Sequence, residues 1–155
     1  MPEENDELKE QLGDYKSAVA EDIKLTVELD RDLIFVGRTN RGYEIDFDAQ
    51  VEWGCMPTEG LLASAAGCMA IDVVSFLRKM RCEIKDFKIE AMGHRNPTPP
   101  QYFKGMDLHI KVTGSGITEK KMERAVSLSK DKYCSVYHSL RPDIEHKVTW
   151  EVTGG

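Results

Sequence analysis

The chain has 155 residues, 41% of them hydrophobic: a length that usually makes one domain and a composition that excludes global disorder. Its net charge of −6 comes from residues 1–22, where Glu3, Glu4, Asp6, Glu7, Glu10, Asp14, Glu21 and Asp22 face only Lys9 and Lys16. The remainder is electrically balanced, which excludes nucleic acid or an anionic membrane as the expected main partner.

The acidic start lacks the positive n-region of a secretory signal, so a cytoplasmic protein is expected. Leu8, Leu12, Tyr15 and Val19 fall at helical spacing and predict an appended arm over residues 1–22, ahead of a domain over 23–155. From Ile23 to Phe47 the pattern is strand-like. Ile23, Leu25, Val27 and Leu29 alternate with polar residues, Asp30-Arg31-Asp32 breaks the run, and Leu33 to Val36 follows. Asn40-Arg41-Gly42 marks a second turn before Tyr43, Ile45 and Phe47 alternate again. The expectation is a three-stranded antiparallel meander.

Thr58 is placed to cap a helix running from about Glu59 to Met80, with Glu59 in the first turn where the helix dipole favours an acid. Between Leu61 and Leu77 this helix is apolar nearly all round, so it is expected to be central to the core or to a dimer. Ser64, Asp72 and Ser75 interrupt the stretch, which reads as too short and too broken for a membrane span. Ala63, Ala65, Ala66 and Gly67 keep its first half thin enough for another backbone to approach closely. Two strands follow, Ile84 to Ala91 and Met106 to Val112, joined through the stiff Asn96-Pro97-Thr98-Pro99-Pro100 segment. Thr118 can cap a second helix with Met122, Val126 and Tyr133 on its apolar face, and a last strand runs from Ile144 to Val152. The order βββ-α-ββ-α-β predicts an α+β fold.

The four cysteines, Cys55, Cys68, Cys82 and Cys134, contain no C-x-x-C pair, and the four histidines are dispersed, so no metal site is expected. A structural disulfide framework is not expected in a reducing compartment. What is left is buried inert thiols or a reactive pair. Taken singly, each cysteine reads as a small buried hydrophobe.

Two motifs sharpen this. Pro57-x-Glu59-x-Leu61-Leu62 followed by Ala65-Ala-Gly-Cys68-x-Ala-x-Asp72-Val-Val-Ser resembles the central-helix motif of the OsmC/Ohr family. Ala125-Val-x-Leu-Ser-x-x-Lys-Tyr-Cys134-Ser-Val is similar to its second-cysteine motif, and Leu108-His-Ile-x-Val-Thr-Gly114 resembles the strand leading into the second helix. The resemblance covers about residues 23–152 and is nearer the general OsmC-like branch than the organic-hydroperoxide-resistance branch. It implies an OsmC-like fold in which antiparallel sheets wrap two central helices of an intertwined homodimer, with active sites at the interface. It also implies a thiol peroxidase without metal or cofactor, acting on organic or small hydroperoxides. Cys68 would be the peroxide-reactive thiol, Cys134 its resolving partner, and an external dithiol the reductant. A thiolate nucleophile needs a cation nearby. The family supplies an arginine held by a glutamate, here matched by Arg31, with Arg38 and Arg41 as alternatives, and by Glu59. The organic-hydroperoxide branch carries its acid ten positions before the cysteine, where Thr58 stands; Glu59 is nine before, a rotation of about 100° around the helix.

Asp72, one turn beyond Cys68, would oppose the ionisation of a thiol it faced. That motivates a second expectation for the same fold: a ligand-binding or redox-sensing protein without efficient peroxide turnover. A structural dimer with inert thiols is the third.

Overall fold

The structure is a computed structural model, and it describes residues 19–154. The arm expected over residues 1–22 lies outside the described residues except for its last four. The described chain falls into two compact units, residues 19–61 and 62–154.

The first unit is the expected meander. Strands β1 (Leu25–Arg31), β2 (Ile34–Thr39) and β3 (Glu44–Asp48) pair antiparallel in that order. The turns fall where the chain must take positive φ, at Asp32 (φ 47°) and Gly42 (φ 87°), residue types that tolerate it. Cross-strand pairs Val27 with Gly37 with Ile45, and Leu29 with Phe35 with Phe47, fix the register. They place Leu25, Val27, Leu29, Phe35, Ile45 and Phe47 on one face. The opposite face carries Ile34 and Val36 among polar residues, and there Arg38 pairs with both Glu28 (3.4 Å) and Glu44 (3.0 Å). After β3 the chain folds back on itself because the buried Asp48 carboxylate accepts the amides of Gln50, Glu52 and Trp53.

Helix α1 (Pro57–Lys79) starts two residues earlier than the sequence suggests. Proline at the first helical position is pre-set for it, so Met56 rather than Thr58 is the cap residue. The Met56 carbonyl accepts the Gly60 amide, and Glu59 reaches back to accept the Met56 amide at 2.8 Å, which is half of a capping box. By length and composition α1 could cross a membrane, unlike the shorter stretch read from the sequence.

In the second unit, β4 (Glu83–Arg95), β5 (Phe103–Ser115) and β6 (Glu145–Gly154) form a sheet in that order. β4 and β5 pair antiparallel. β6 runs parallel to β5, so this sheet is mixed where antiparallel pairing was expected. The reason lies in the connection: the chain between β5 and β6 carries helices over the sheet, and such a crossover returns in parallel. Helix α2 (Glu119–Leu128) begins that crossover, capped as expected by the Thr118 hydroxyl accepting the Lys121 amide.

Strand alternation decides the core. Leu108, Ile110 and Val112 of β5 point to the helices and are buried. They meet Met69, Val73, Phe76 and Leu77 of α1 and Met122, Ala125 and Val126 of α2. A second cluster, Ala65, Phe103, Met106 and Ile144, extends the same layer. The other sheet face is a charge ladder in which Lys111 lies between Glu90 (3.2 Å) and Glu151 (3.8 Å).

Candidate active site

Residues at i and i+4 share a helix face, so packing α1 on β5 buries Cys68 and Asp72 together. They are 8% and 0% exposed. The second cysteine arrives by a different device. α2 does not continue to Cys134, as the sequence suggested. It ends at Leu128 and passes into one π-helical turn, Ser129–Tyr133, after which Cys134 leaves helical geometry (φ −74°, ψ 100°). The wide turn is closed by the Cys134 amide donating to the Ser129 carbonyl at 2.8 Å, and Tyr133 packs on Phe76 of α1 with ring centroids 5.3 Å apart. Such turns recur at functional sites because they redirect a side chain within a helix. Here the turn delivers Cys134, 1% exposed, as the cap of a short helix α3 (Ser135–Ser139), where its Sγ accepts the Tyr137 amide at 3.4 Å.

The outcome is a cluster of three side chains from α1 and the π turn. The two sulfurs and a carboxylate oxygen of Asp72 all lie within 4.8 Å of one another. The Ser129 hydroxyl donates to Asp72 Oδ2 at 2.8 Å and fixes the carboxylate. Burial pushes the Cys134 thiol up to about 11, and the neighbouring Cys68 and Asp72 add to the shift against the opposing Tyr137 amide. Cys134 is therefore held as a thiol at neutral pH.

Cys68 and Cys134 are thus brought together across 66 positions of chain. Arg31 and Glu59 belong to the other unit. Arg31 ends β1, pairs with Asp30 at 2.9 Å and stacks 5.6 Å over the Trp53 ring. Glu59 is engaged with the Met56 amide. Arg38 is committed to its two glutamates, which raise its pKa further. Cys55 pairs its sulfur with the Asp46 carbonyl (3.6 Å), and the buried Cys82 thiol donates to the Gly116 carbonyl at 3.3 Å. Ser129 stood in the sequence only as a member of the second-cysteine motif, without a role; the π turn is what places it on Asp72.

The two sulfurs lie within 4.8 Å of one another, so they are neighbours, and a disulfide of about 2.05 Å would require the side chains to move together. The chain matches the family described as OsmC-like protein over residues 48–149. It is 36% identical over 121 residues to protein YhfA of Escherichia coli K12, covering 77% of this chain and 90% of that protein. Among solved structures, a hypothetical protein from Aquifex aeolicus is 34% identical with a TM-score of 0.79, over 88% of this chain and 99% of that one. An organic hydroperoxide resistance protein OsmC from Legionella pneumophila shares the fold at a TM-score of 0.64 and 16% identity, over 86% and 99%. The match runs from the end of β3 to within β6 and takes in both cysteine motifs, and on it the chain belongs to the OsmC-like protein family.

Proposed function

We propose that this protein is a two-cysteine thiol peroxidase. The observation that carries the reading is the buried approach of the Cys68 and Cys134 sulfurs. Family membership and the hydroperoxide-resistance name of the Legionella relative support a redox, peroxide-related role. In the first step the Cys68 thiolate attacks the terminal oxygen of a hydroperoxide. The O–O bond breaks, the alcohol leaves with the proton, and Cys68 becomes a sulfenic acid. Cys134 then attacks that sulfur, the S–O bond breaks, water leaves and a disulfide forms. An external dithiol restores both thiols.

Division of labour follows from the environment. Cys134 is kept protonated by burial and by its two neighbours, so Cys68 is assigned as the attacking thiol. The activating cation is assigned to Arg31 on the family resemblance, with Arg38 and Arg41 as alternatives; Arg31 pairs with Asp30, and Arg38 with Glu28 and Glu44. Glu59 orders the start of α1. A homodimer in the cytoplasm is part of the same reading.

Mapping by mass spectrometry after one equivalent of cumene hydroperoxide tests it. A Cys68–Cys134 disulfide is expected, with Cys68→Ser abolishing peroxide consumption and Cys134→Ser allowing one oxidation before stalling. Equal residual turnover in both variants contradicts the assignment. Redox sensing without turnover is the second reading. The raised Cys134 thiol favours it, because slow resolution would prolong the sulfenic acid; peroxide consumption that ends after one equivalent, even with excess dithiol, selects it.

A further inference from the structure

Peroxide chemistry calls for two thiols and an activating cation, and nothing in it calls for a buried carboxylate beside the thiols. Asp72 is fully buried, lies within 4.8 Å of both sulfurs, and is oriented by the Ser129 hydroxyl. Three donors therefore converge from two elements: Cys68 and Asp72 from adjacent turns of α1, and Cys134 from the π turn. The geometry points to a site for a thiophilic divalent metal, zinc being the chemical match, bound by Cys68 Sγ, Cys134 Sγ and an Asp72 carboxylate oxygen.

The donor set and the spacing both fit. Zinc takes thiolate at about 2.3 Å and carboxylate oxygen at about 2.0–2.2 Å in a tetrahedron, which puts the ligand atoms roughly 3.5–3.8 Å apart. The cluster, at 4.8 Å or less, needs only side-chain adjustment to close on a metal. Two sulfurs select zinc, cadmium or cobalt over magnesium or calcium. Two thiolates and a carboxylate in a water-poor pocket repel one another, and a divalent cation reduces their summed charge to −1, leaving the fourth position for water. The Ser129 hydroxyl supplies the outer hydrogen bond that ligating carboxylates usually have. Cys68, at 8% exposure against 1% for Cys134 and 0% for Asp72, is the most accessible of the three ligands and so marks the side of entry.

This inference shares two thiols with the peroxidase reading but does not need turnover. Metal and disulfide exclude each other. Oxidation of the metal-bound pair by a hydroperoxide consumes two protons, forms the S–S bond, breaks the O–O bond to give alcohol and water, and releases the cation. Metal binding would thus withhold the thiols from peroxide, and oxidation would discharge the metal.

The test is a titration of the reduced, full-length protein with cobalt(II) under anaerobic conditions, read by optical absorption. The expected result is a thiolate-to-cobalt charge-transfer band that saturates at one equivalent per chain, is displaced by zinc, and is absent from the pre-formed disulfide. Cys68→Ser, Cys134→Ser and Asp72→Asn should each lose or greatly weaken it. Ser129→Ala, which keeps all three ligands, should weaken binding by about 10–100-fold. Cys55→Ser and Cys82→Ser should leave it intact. No band in the wild-type protein, or a band that survives Cys68→Ser, overturns the proposal. The cumene hydroperoxide experiment on metal-free protein separates the two readings. A disulfide without a cobalt band removes the metal site alone, and a cobalt band without a disulfide removes the peroxidase alone.

Discussion

At the scale of single residues, the site is governed by what surrounds Cys134. Its thiol is 1% exposed and faces Cys68 and Asp72, so its ionisation is pushed up to about 11. The native state holds this proton more tightly than the unfolded chain does, so the stabilisation is complete below the ordinary thiol range. It is lost as pH rises through that range towards 11. The same cause makes Cys134 slow to alkylate in the reduced native protein. Its labelling by iodoacetamide is expected to rise steeply only well above pH 9, and Asp72→Asn should bring that rise to lower pH by removing one of the anions. A labelling curve for Cys134 centred near the free-thiol value would contradict the environment described. Both cysteines were legible in the sequence as candidates, through the motifs that carry them, and Asp72 only as a group that would oppose the ionisation of a thiol it faced. The partnership of Ser129 with Asp72 was not, because it depends on the π turn.

At the scale of elements, α1 organises the molecule. Its buried stripe, Ala65, Cys68, Met69, Asp72, Val73, Phe76 and Leu77, mixes core residues with site residues on one face. Packing the apolar members on β5 is what holds Cys68 and Asp72 in place. Leu77 is fully buried in the centre of that contact, so Leu77→Ala should cost about 2–5 kcal/mol of stability, measured by denaturant unfolding. A cost below 1 kcal/mol would mean that α1 is not seated on β5 as described. The elements that the sequence located well are those with strong local punctuation: the meander with its Asp32 and Gly42 turns, and α2 with its Thr118 cap. The start of α1 was misplaced by two residues, because proline's preference for the first helical position outweighed threonine's for the cap. The end of the second helix was misplaced because a π turn has no periodicity of its own.

At the scale of the whole molecule, apolar surface is left over. Leu25, Val27 and Leu29 of β1 are 48%, 55% and 62% exposed, and Ile45 of β3 is 47% exposed. They lie on one face of the first sheet, where water contact is unfavourable and a cover is needed. On α1, Gly67 leaves open space around it and Ile71 is half exposed, a thin surface that a second helix can approach. Both features support the homodimer in the proposed function. Light scattering at micromolar concentration should give twice the chain mass. Gly67→Leu, which fills the thin face, and Val27→Glu, which charges the sheet face, should each shift the protein towards monomer or lower its solubility. A wild-type monomer under these conditions removes the dimer from the reading.

By itself the sequence determined the α+β class, the meander, the cores of both long helices and the family, since each rests on local periodicity, turn chemistry or contiguous motifs. It also named Cys68 and Cys134 as the pair, though only through resemblance. The tertiary structure decided the rest. It made β6 parallel to β5, because the helical crossover over the sheet fixes strand direction. It closed the 66-residue gap between the cysteines, and it turned Asp72 from an interruption in an apolar helix into a third member of the site. No local rule in a chain sets the distance between α1 and a π turn that follows two strands later. That distance is set by the packing of Met69, Val73 and Phe76 against β5 and α2, and with it the chemistry that three buried donors can perform.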